Sequence, residues 1–408
     1  MNRHVLSLAF GSALLTVACS GGSTDDDDTT RPGLCLDVSG STDVGGLAIR
    51  NPESEVAGCR GVDGSSAEVR VCEEKAPDLS CVDMSEPLGT SVDVTFTGCV
   101  SSFGLDAQSD GLVVTILEES VAGIATDPGY NYDGTPAMGQ GAEKTSSAFL
   151  GQVISQSVPA ATCIDGGSFA VADIPTERPL IVRVTDQNQD IADRQYVDTY
   201  QYNVILRNSA VRDATSMELL TDTSSCSPTT CIVQDDVNTV FETTFTTIAL
   251  TAGVSNIDGD DDLYDGVGQG HVAGEIQDCT SEDTMKNAVV ALSSNVKKLA
   301  YFNVDFPPAV ANLEDPKVDQ TRNRTNADGL YAAIAVDTQD GGEAITIGAA
   351  ITTDVCGADG ECKCNADGTL NEANTVEPTI QQLGTRQIYV YPDSITILTF
   401  DRALYTAP

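Results

Sequence analysis

The fold of this chain is decided by the stretch TNADGLYAAIAV, residues Thr325–Val336. Its Asp328-Gly329 pair is typical of a tight turn, because glycine has no side chain and takes the positive φ that such turns require. Tyr331 follows the turn and is predicted to return to the core. The small and branched apolar residues around it predict a strand over Leu330–Val336.

Similar runs of β-branched and aromatic residues, bounded by Gly, Asp, Asn and Pro, recur along the chain, whereas helix signals are scarce. Short strands with regular punctuation are typical of sandwiches rather than of a parallel sheet. The sequence therefore predicts an all-β protein. The other predicted strands are Ser91–Val100, Leu112–Glu118, Ser168–Ile174, Leu180–Thr185, Thr199–Leu206, His271–Ile276, Ala288–Leu292, Ala344–Ala350, Ile388–Tyr391 and Ser394–Phe400.

The same order of predicted strands and turns occurs twice along the chain. A strand that begins G-x-V or G-x-I is followed by an apolar strand, an Asp-Gly turn with an aromatic residue behind it, and a further apolar strand. The second copy comprises Gly274–Ile276, Asn287–Leu292, Thr325–Tyr331 and the strand around Ile345. The first copy comprises Gly98–Val100, Leu112–Leu117, Asp165–Phe169 and Leu180–Val184, with Phe169 in the place of Tyr331.

This order resembles the carboxypeptidase regulatory-like domain, which is a transthyretin-type β-sandwich. The resemblance covers residues 271–351 in the second copy, and it is looser in the first, where a long insertion separates Glu118 from Gly167. Neither copy has the Pro-Gly that usually precedes the last strand. The resemblance implies two β-sandwich domains of prealbumin or immunoglobulin-like type. It concerns an accessory domain and brings no peptidase activity with it.

The beginning of the chain predicts export. Arg3 is the one charged residue of Met1–Ala18, and the run Val5–Val17 consists almost entirely of apolar or small residues. This run has the length of a signal peptide and is too short to cross a bilayer, which takes about 20 apolar residues.

The apolar run ends in the sequence LTVAC, whose last residue is Cys19. This ending resembles the bacterial lipobox and implies a diacylglyceryl group on Cys19, which would attach the chain to a membrane. Thr16 stands where the lipobox usually has Leu, and Thr16 and Ala18 together also suit an ordinary signal peptidase. Simple secretion therefore stays open as the alternative.

The residues behind Cys19 predict a tether. They are small and polar and have no apolar side chains to bury, and the negative charges of the run Asp25–Asp28 repel one another. Ser20 directly after the cysteine resembles the signal for the outer membrane of a Gram-negative cell. The whole chain has 21 basic and 61 acidic residues and a net charge of −40, which argues against nucleic acid as a partner.

Five segments are thus predicted in chain order. They are a signal peptide at residues 1–18, a disordered tether at 19–34, a Cys-rich β-sandwich-like domain at 35–232, a connecting strand and acidic linker at 233–268, and the regulatory-like β-sandwich domain at 269–408.

Cysteine usage indicates an oxidising compartment. Of the 13 cysteines, the twelve that remain after Cys19 fall into eight before the predicted linker and four behind it, so all of them can pair within separate halves. A cross-strand bridge is predicted between Cys72 and Cys81, and a loop bridge between Cys226 and Cys231. Disulfides are favoured over a metal site for the remaining candidates, Cys279, Cys356, Cys362 and Cys364.

Histidine argues against an enzyme. His4 belongs to the signal peptide, so His271 is the one histidine left for a nucleophilic triad or a zinc site. We interpret His271 as an ordinary strand residue. Two carboxylates can cleave a glycoside without histidine, but the chain has no Trp for a sugar platform and no acid pair stands out.

The acidic loop NIDGDDDLYDG, which begins at Asn256, is the best ligand candidate. Oxygen ligands from Asp258, Asp260, Asp262 and Asp265 suit Ca²⁺, although the loop lacks the glycine and the final glutamate of an EF-hand. The alternative, which we favour, is a solvated acidic linker. No cofactor other than this possible Ca²⁺ is predicted.

These observations predict an exported, lipid-anchored protein that acts as a non-catalytic binding or structural module on the cell surface. Its partner would be another envelope protein or a glycan, bound through loops on rigid sandwiches. Two alternatives stay open. One is a pair of accessory domains for an envelope peptidase or transporter encoded elsewhere, and the other is a secreted hydrolase with unidentified carboxylates.

Overall fold

A computed structural model provides the structure of the chain. It describes residues 88–103, 109–119, 149–156, 163, 167–187, 194–254, 269–278, 284–285, 288–303, 317–319, 325, 329–338, 342–352 and 380–400. All of these residues belong to one compact unit, residues 34–408. Residues 88–254 are called the first half below, and residues 269–400 the second half.

The described residues form an all-β protein with a single α-helix, as the strand pattern predicted. The strands of the first half are β1 Asp93–Phe103, β2 Val113–Glu118, β3 Phe149–Ile154, β4 Gly167–Pro175, β5 Pro179–Thr185, β6 Tyr196–Ile205, β7 Arg212–Asp213, β8 Cys231–Gln234 and β9 Val237–Phe241. Helix α1, Glu242–Thr251, follows β9 directly. The strands of the second half are β10 Gln269–Glu275, β11 Ala288–Leu292, β12 Val296–Asn303, β13 Lys317–Asp319, β14 Leu330–Asp337, β15 Glu343–Thr352, β16 Ile380–Val390 and β17 Ser394–Leu398.

The two halves repeat one strand arrangement. In the first half, β1 pairs antiparallel with β4 and parallel with β8 and β9, while β5 lies between β2 and β6. In the second half, β10 pairs antiparallel with β14 and parallel with β17, while β15 lies between β11 and β16. Each half therefore consists of two strand layers around an apolar core, and the order of elements that the sequence repeats is repeated in space.

In both halves, a glycine of one strand lies opposite an aromatic residue of its antiparallel neighbour. Gly98 of β1 lies opposite Phe169 of β4, and Gly274 of β10 lies opposite Tyr331 of β14. A Cβ at Gly98 would overlap the carbonyl oxygen of Asp235, which lies between the parallel neighbours β8 and β9, and a Cβ at Gly274 would overlap that of Leu398 in the parallel neighbour β17. Glycine at these two positions therefore allows the neighbouring backbone segments to approach each other closely.

The turn before β14 has the predicted geometry. Gly329 has a φ of +62°, a conformation that glycine adopts without a steric penalty. Tyr331 is fully buried, and its hydroxyl donates a hydrogen bond of 2.6 Å to the carbonyl oxygen of Leu398. This bond fixes the aromatic residue of one strand to the backbone of β17.

The halves are connected by a parallel ladder between β6 of the first half and β17, the last strand of the second half. Five residues of β17, Ser394–Leu398, pair in register with Asp198–Tyr202 of β6. We call this pairing the joining ladder. It places strands of both predicted sandwich domains in one hydrogen-bonded sheet, while the domain boundaries given above stay a prediction.

Side chains on both sides support the joining ladder. The rings of Tyr200 and Tyr391 are 4.8 Å apart, and the Tyr202 hydroxyl accepts a hydrogen bond of 3.1 Å from the Tyr389 amide. Glu119, at the end of β2, forms a buried ion pair of 2.6 Å with Arg386 of β16. The core of the second half consequently includes side chains of the first half, namely Leu117, Ile181, Tyr200 and Tyr202.

Helix α1 was not predicted, because its sequence ETTFTTIALT is rich in threonine, a weak helix former. Three of its threonines donate hydroxyl hydrogen bonds to the carbonyl four residues earlier: Thr246 to Glu242, Thr247 to Thr243, and Thr251 to Thr247. Its buried residues, Phe245 and Ala249, are one turn apart. Packing of this apolar face on the sheet, rather than intrinsic propensity, therefore stabilises the helix.

Substitution of Gly274 by Ala tests the close approach at β10. The added methyl group would overlap the Leu398 carbonyl, so we expect the free energy of unfolding to fall by about 3 kcal/mol, as for an overpacked core. Urea unfolding monitored by circular dichroism measures this change. Gly89→Ala is the matched control, because its new Cβ would meet the side chains of Glu177 and Asn208, at 3.2 and 3.3 Å, and no backbone carbonyl. Equal effects of the two substitutions would contradict the account.

Candidate functional site

A cavity of about 330 Å³ lies between helix α1 and one face of the sheet. Successive side chains of a strand point to opposite faces, and on β10 the cavity is lined by His271, Ala273 and Glu275. Val272, between them, points the other way and belongs to the core of the second half. The strand period therefore places His271 beneath the helix.

The wall of the cavity is mostly apolar and comes from both halves of the chain. Strands of the first half contribute Phe103 and Val240, and helix α1 contributes Phe245 and Ile248. The second half contributes Phe302 and Ile395, among others. The cavity thus depends on the joining ladder, since β9 and β17 lie on either side of β6.

His271 is buried in the cavity wall, with 3% of its surface exposed. Its Nδ1 accepts a hydrogen bond of 3.2 Å from the Ala335 amide of β14. The ring stacks on Phe245, with a distance of 4.0 Å between the ring centres. Its Nε2 has no hydrogen-bond partner among the residues that the structure describes.

Burial lowers the pKa of His271 from 6.5 to about 4, because the charged imidazolium loses its hydration, and a hydrogen bond that the charged ring makes with the Gly270 backbone opposes this shift only in part. The ring is therefore neutral at pH 7. Because Nδ1 accepts the Ala335 amide hydrogen, we assign the single ring proton to Nε2. The side chain is in this state a hydrogen-bond donor in apolar surroundings.

Glu275 and Tyr331, which also line the cavity, have partners of their own. Glu275 accepts a hydrogen bond of 2.6 Å from the Gln277 side chain, and the Tyr331 hydroxyl donates to Leu398. The arrangement can therefore offer a guest molecule a mostly apolar surface, to which Asn238 and Thr399 add further polar residues. His271 is a strand residue, as the sequence predicted, but the cavity was missed because the helix above it was missed.

The structure contains a disulfide between Cys226 and Cys231, in the loop for which one was predicted. A second disulfide joins Cys99 of β1 to Cys163, which are 64 residues apart. Closing a loop of this length contributes about 4 kcal/mol in the chain-entropy model. This pairing could not be predicted, because the even cysteine count leaves the connectivity open.

The other predicted site residues lie outside the described residues. They are the lipidation site Cys19, the disulfide candidates Cys72, Cys81, Cys279, Cys356, Cys362 and Cys364, and the calcium candidates Asp258, Asp260, Asp262 and Asp265. These stay predictions. Within the described ranges, no cluster of three or more His, Cys, Asp or Glu residues is placed to hold a metal ion, and no helix has the length and apolarity of a membrane span.

Comparison with known proteins gives remote structural similarities only. No family model and no curated protein matches the chain. A mutant of the shaft pilin SpaA from Lactobacillus rhamnosus GG matches over 77% of this chain and 99% of its own, with 9% identity and a TM-score of 0.17. The Streptococcal ancillary pilin matches over 76% of this chain and 62% of its own, with 9% identity and a TM-score of 0.17.

The basal pilin SpaE from Lactobacillus rhamnosus GG matches over 70% of this chain and 95% of its own, with 8% identity and a TM-score of 0.17. Scores this low leave the fold and the function to be argued from the strands, registers and contacts of the chain itself.

The low pKa of His271 predicts a pH dependence of stability. Between pH 6.5 and about 4 the unfolded chain binds a proton at His271 and the folded chain does not, so this contribution to stability is present above pH 6.5 and is lost as the pH falls. The full loss amounts to about 3 kcal/mol relative to a chain without the histidine.

Urea unfolding of the wild type and His271→Asn across this pH range measures the difference. Asparagine keeps an acceptor near the position of Nδ1 for the Ala335 amide, and Glu275 is present in both proteins. Parallel pH profiles of the two proteins would show that His271 titrates normally.

Proposed function

We propose that the chain is a cell-envelope lipoprotein, held at a membrane surface through Cys19, which acts as a non-catalytic structural or binding module. The N-terminal apolar run, the cysteine behind it and the acidic tether support the attachment. The outer membrane of a Gram-negative cell is the location that Ser20 favours. The partner would be an envelope protein or a glycan.

The joining ladder is the observation that supports a structural module. Domains in one chain usually move relative to each other, unless their interface is large and apolar. Here five in-register residue pairs, the contact between the rings of Tyr200 and Tyr391, and a shared core connect the halves. The described part of the chain would therefore act as one stiff body on the tether, rather than as two sandwiches on a hinge.

Buried charges also contribute to the connection. Arg183 pairs with Asp198 at 3.3 Å and lies over the Tyr200 ring, and Glu119 pairs with Arg386. Burial raises the pKa of Glu119, and the charge of Arg386 opposes that rise. Each of these charges is matched within the protein, and the Glu119–Arg386 pair crosses from one half to the other.

The resemblance to carboxypeptidase regulatory-like domains belongs to the same proposal. The equivalent registers of Gly98 with Phe169 and Gly274 with Tyr331 support a repeated sandwich unit. A module of this kind offers loops at the ends of its strands for binding.

Mass spectrometry of the intact protein tests the attachment. We expect protein extracted from membranes to begin at Cys19 and to carry the added mass of acyl chains on that residue. Cys19→Ala should abolish this mass and release the protein from the membrane fraction, whereas Cys226→Ala should leave the lipid in place. A mature form without acyl chains would establish simple secretion instead.

A double-mutant cycle on Glu119 and Arg386 tests the connection between the halves. Glu119→Leu or Arg386→Met alone leaves a buried charge without its partner, so we expect each to lower the free energy of unfolding by about 3–5 kcal/mol. The double variant should lose less than the sum of the two, because both charges are gone. Additive losses in urea unfolding would mean that the pair does not couple the halves.

A further inference from the structure

We propose that the cavity beneath helix α1 binds a small organic cation, namely an ammonium group that carries an apolar body. The apolar body lies at the buried end of the cavity, and the ammonium group lies at the half-exposed end, beside Glu275. This inference is independent of the anchoring proposed above, because it adds a ligand site to the structural role and rests on the cavity wall alone.

The first argument is that the cavity has a buried end and a half-exposed end. On the parallel neighbours β10 and β17, His271 lies opposite Ile395, and both residues line the cavity. They are 3% and 4% exposed. Four residues further along each segment, Glu275 and Thr399 also line the cavity and are half-buried. The wall therefore becomes polar toward solvent, which suits a ligand with an apolar and a polar end.

The second argument is the aromatic character of the wall. Phe103, Phe245 and Phe302 line the cavity, which is three of the ten phenylalanines in a chain with only 5% aromatic residues. The face of an aromatic ring carries negative electrostatic potential and attracts organic cations, most strongly where water is excluded. The same rings offer apolar surface to the body of the ligand. Such a wall suits a molecule that is both apolar and positively charged.

The third argument is the charge of the wall. Among the described residues that line the cavity, Glu275 has the one charged side chain, and none is Lys or Arg. Burial lowers the pKa of His271 to about 4, so the imidazole adds no positive charge at pH 7. The whole chain carries a net charge of −40. An ammonium group is therefore attracted and finds a counterion, whereas a carboxylate would be repelled and left without one.

The fourth argument is that Glu275 is held in place. Its side chain accepts a hydrogen bond of 2.6 Å from the Gln277 side chain, and its backbone carbonyl accepts one of 2.8 Å from the Phe400 amide. A side chain fixed in this way loses little conformational entropy when a ligand binds. A hydrogen bond between an ammonium group and a carboxylate is about twice as strong as one between neutral groups. Asn238 and Thr399 add further polar residues to the wall.

Three probes of similar size separate the effect of charge from that of apolar surface. They are the cation 2-phenylethylammonium, the neutral 2-phenylethanol and the anion phenylacetate, each titrated into the full chain at pH 7 and followed by saturation-transfer difference NMR. We expect the cation to bind saturably and roughly tenfold more tightly than the alcohol, and phenylacetate not to bind. Equal affinities for the cation and the alcohol, or no binding of the cation, would overturn the proposal.

Substitution of Glu275 by Gln tests the counterion, because glutamine keeps the size of the side chain and removes its charge. The affinity for 2-phenylethylammonium should fall roughly tenfold, to that of the alcohol, while the affinity for the alcohol stays constant. Glu218→Gln is the matched control, because Glu218 is exposed, lies outside the cavity wall and carries the same charge. Equal losses in both variants would show that the cation responds to net charge alone and would refute the role of Glu275.

Two substitutions on helix α1 test the location. Ile248 lines the cavity, and Leu250 is 52% exposed. Ile248→Trp should fill the cavity and abolish binding of 2-phenylethylammonium, whereas Leu250→Trp should leave the affinity unchanged; circular dichroism verifies that both variants are folded. Phe103→Leu, at a half-buried position, removes one ring and should narrow the difference between the cation and the alcohol. Binding to folded Ile248→Trp with wild-type affinity, or an unchanged difference in Phe103→Leu, would overturn the proposal.

Discussion

The joining ladder between β6 and β17 is the constraint on which the rest of the structure depends. It aligns five residues of the last strand of the second half with Asp198–Tyr202 of the first half. Because parallel strands pair at a fixed register, this alignment also fixes where Tyr200 meets Tyr391 and where Glu119 meets Arg386. The cavity under helix α1 has the same origin, since its walls come from strands on both sides of the ladder.

Within each half, one glycine determines how closely two neighbouring backbone segments can approach each other. Gly98 and Gly274 each allow a parallel neighbour to approach closer than any side chain would permit. In the second half the Tyr331 hydroxyl adds a hydrogen bond to the Leu398 carbonyl, and in the first half Phe169 occupies the same register without a hydroxyl. The two halves therefore share the same packing of a glycine against an aromatic residue, although their loops and cysteines differ.

Local sequence patterns were sufficient to predict much of this fold. Strand runs, the Asp328-Gly329 turn and the return of Tyr331 to the core are set by neighbouring residues, and the structure has each predicted strand run, the positive φ of Gly329 and the buried tyrosine. The joining ladder has no local signature, because its strands are about 200 residues apart in the chain. The candidate site was missed for a related reason: threonine-rich α1 is stabilised by packing, and it places Phe245 over His271.

Hydrogen exchange of the intact protein, followed by mass spectrometry, tests the central claim that the two halves are one connected body. Amides of Asp198–Tyr202 and Ser394–Leu398 should exchange as slowly as those of β5 and β14, which lie in the interior of each half, because the ladder opens only when both halves unfold. Fast exchange in Ser394–Leu398, with β5 and β14 still protected, would show that the halves separate easily and would contradict this account.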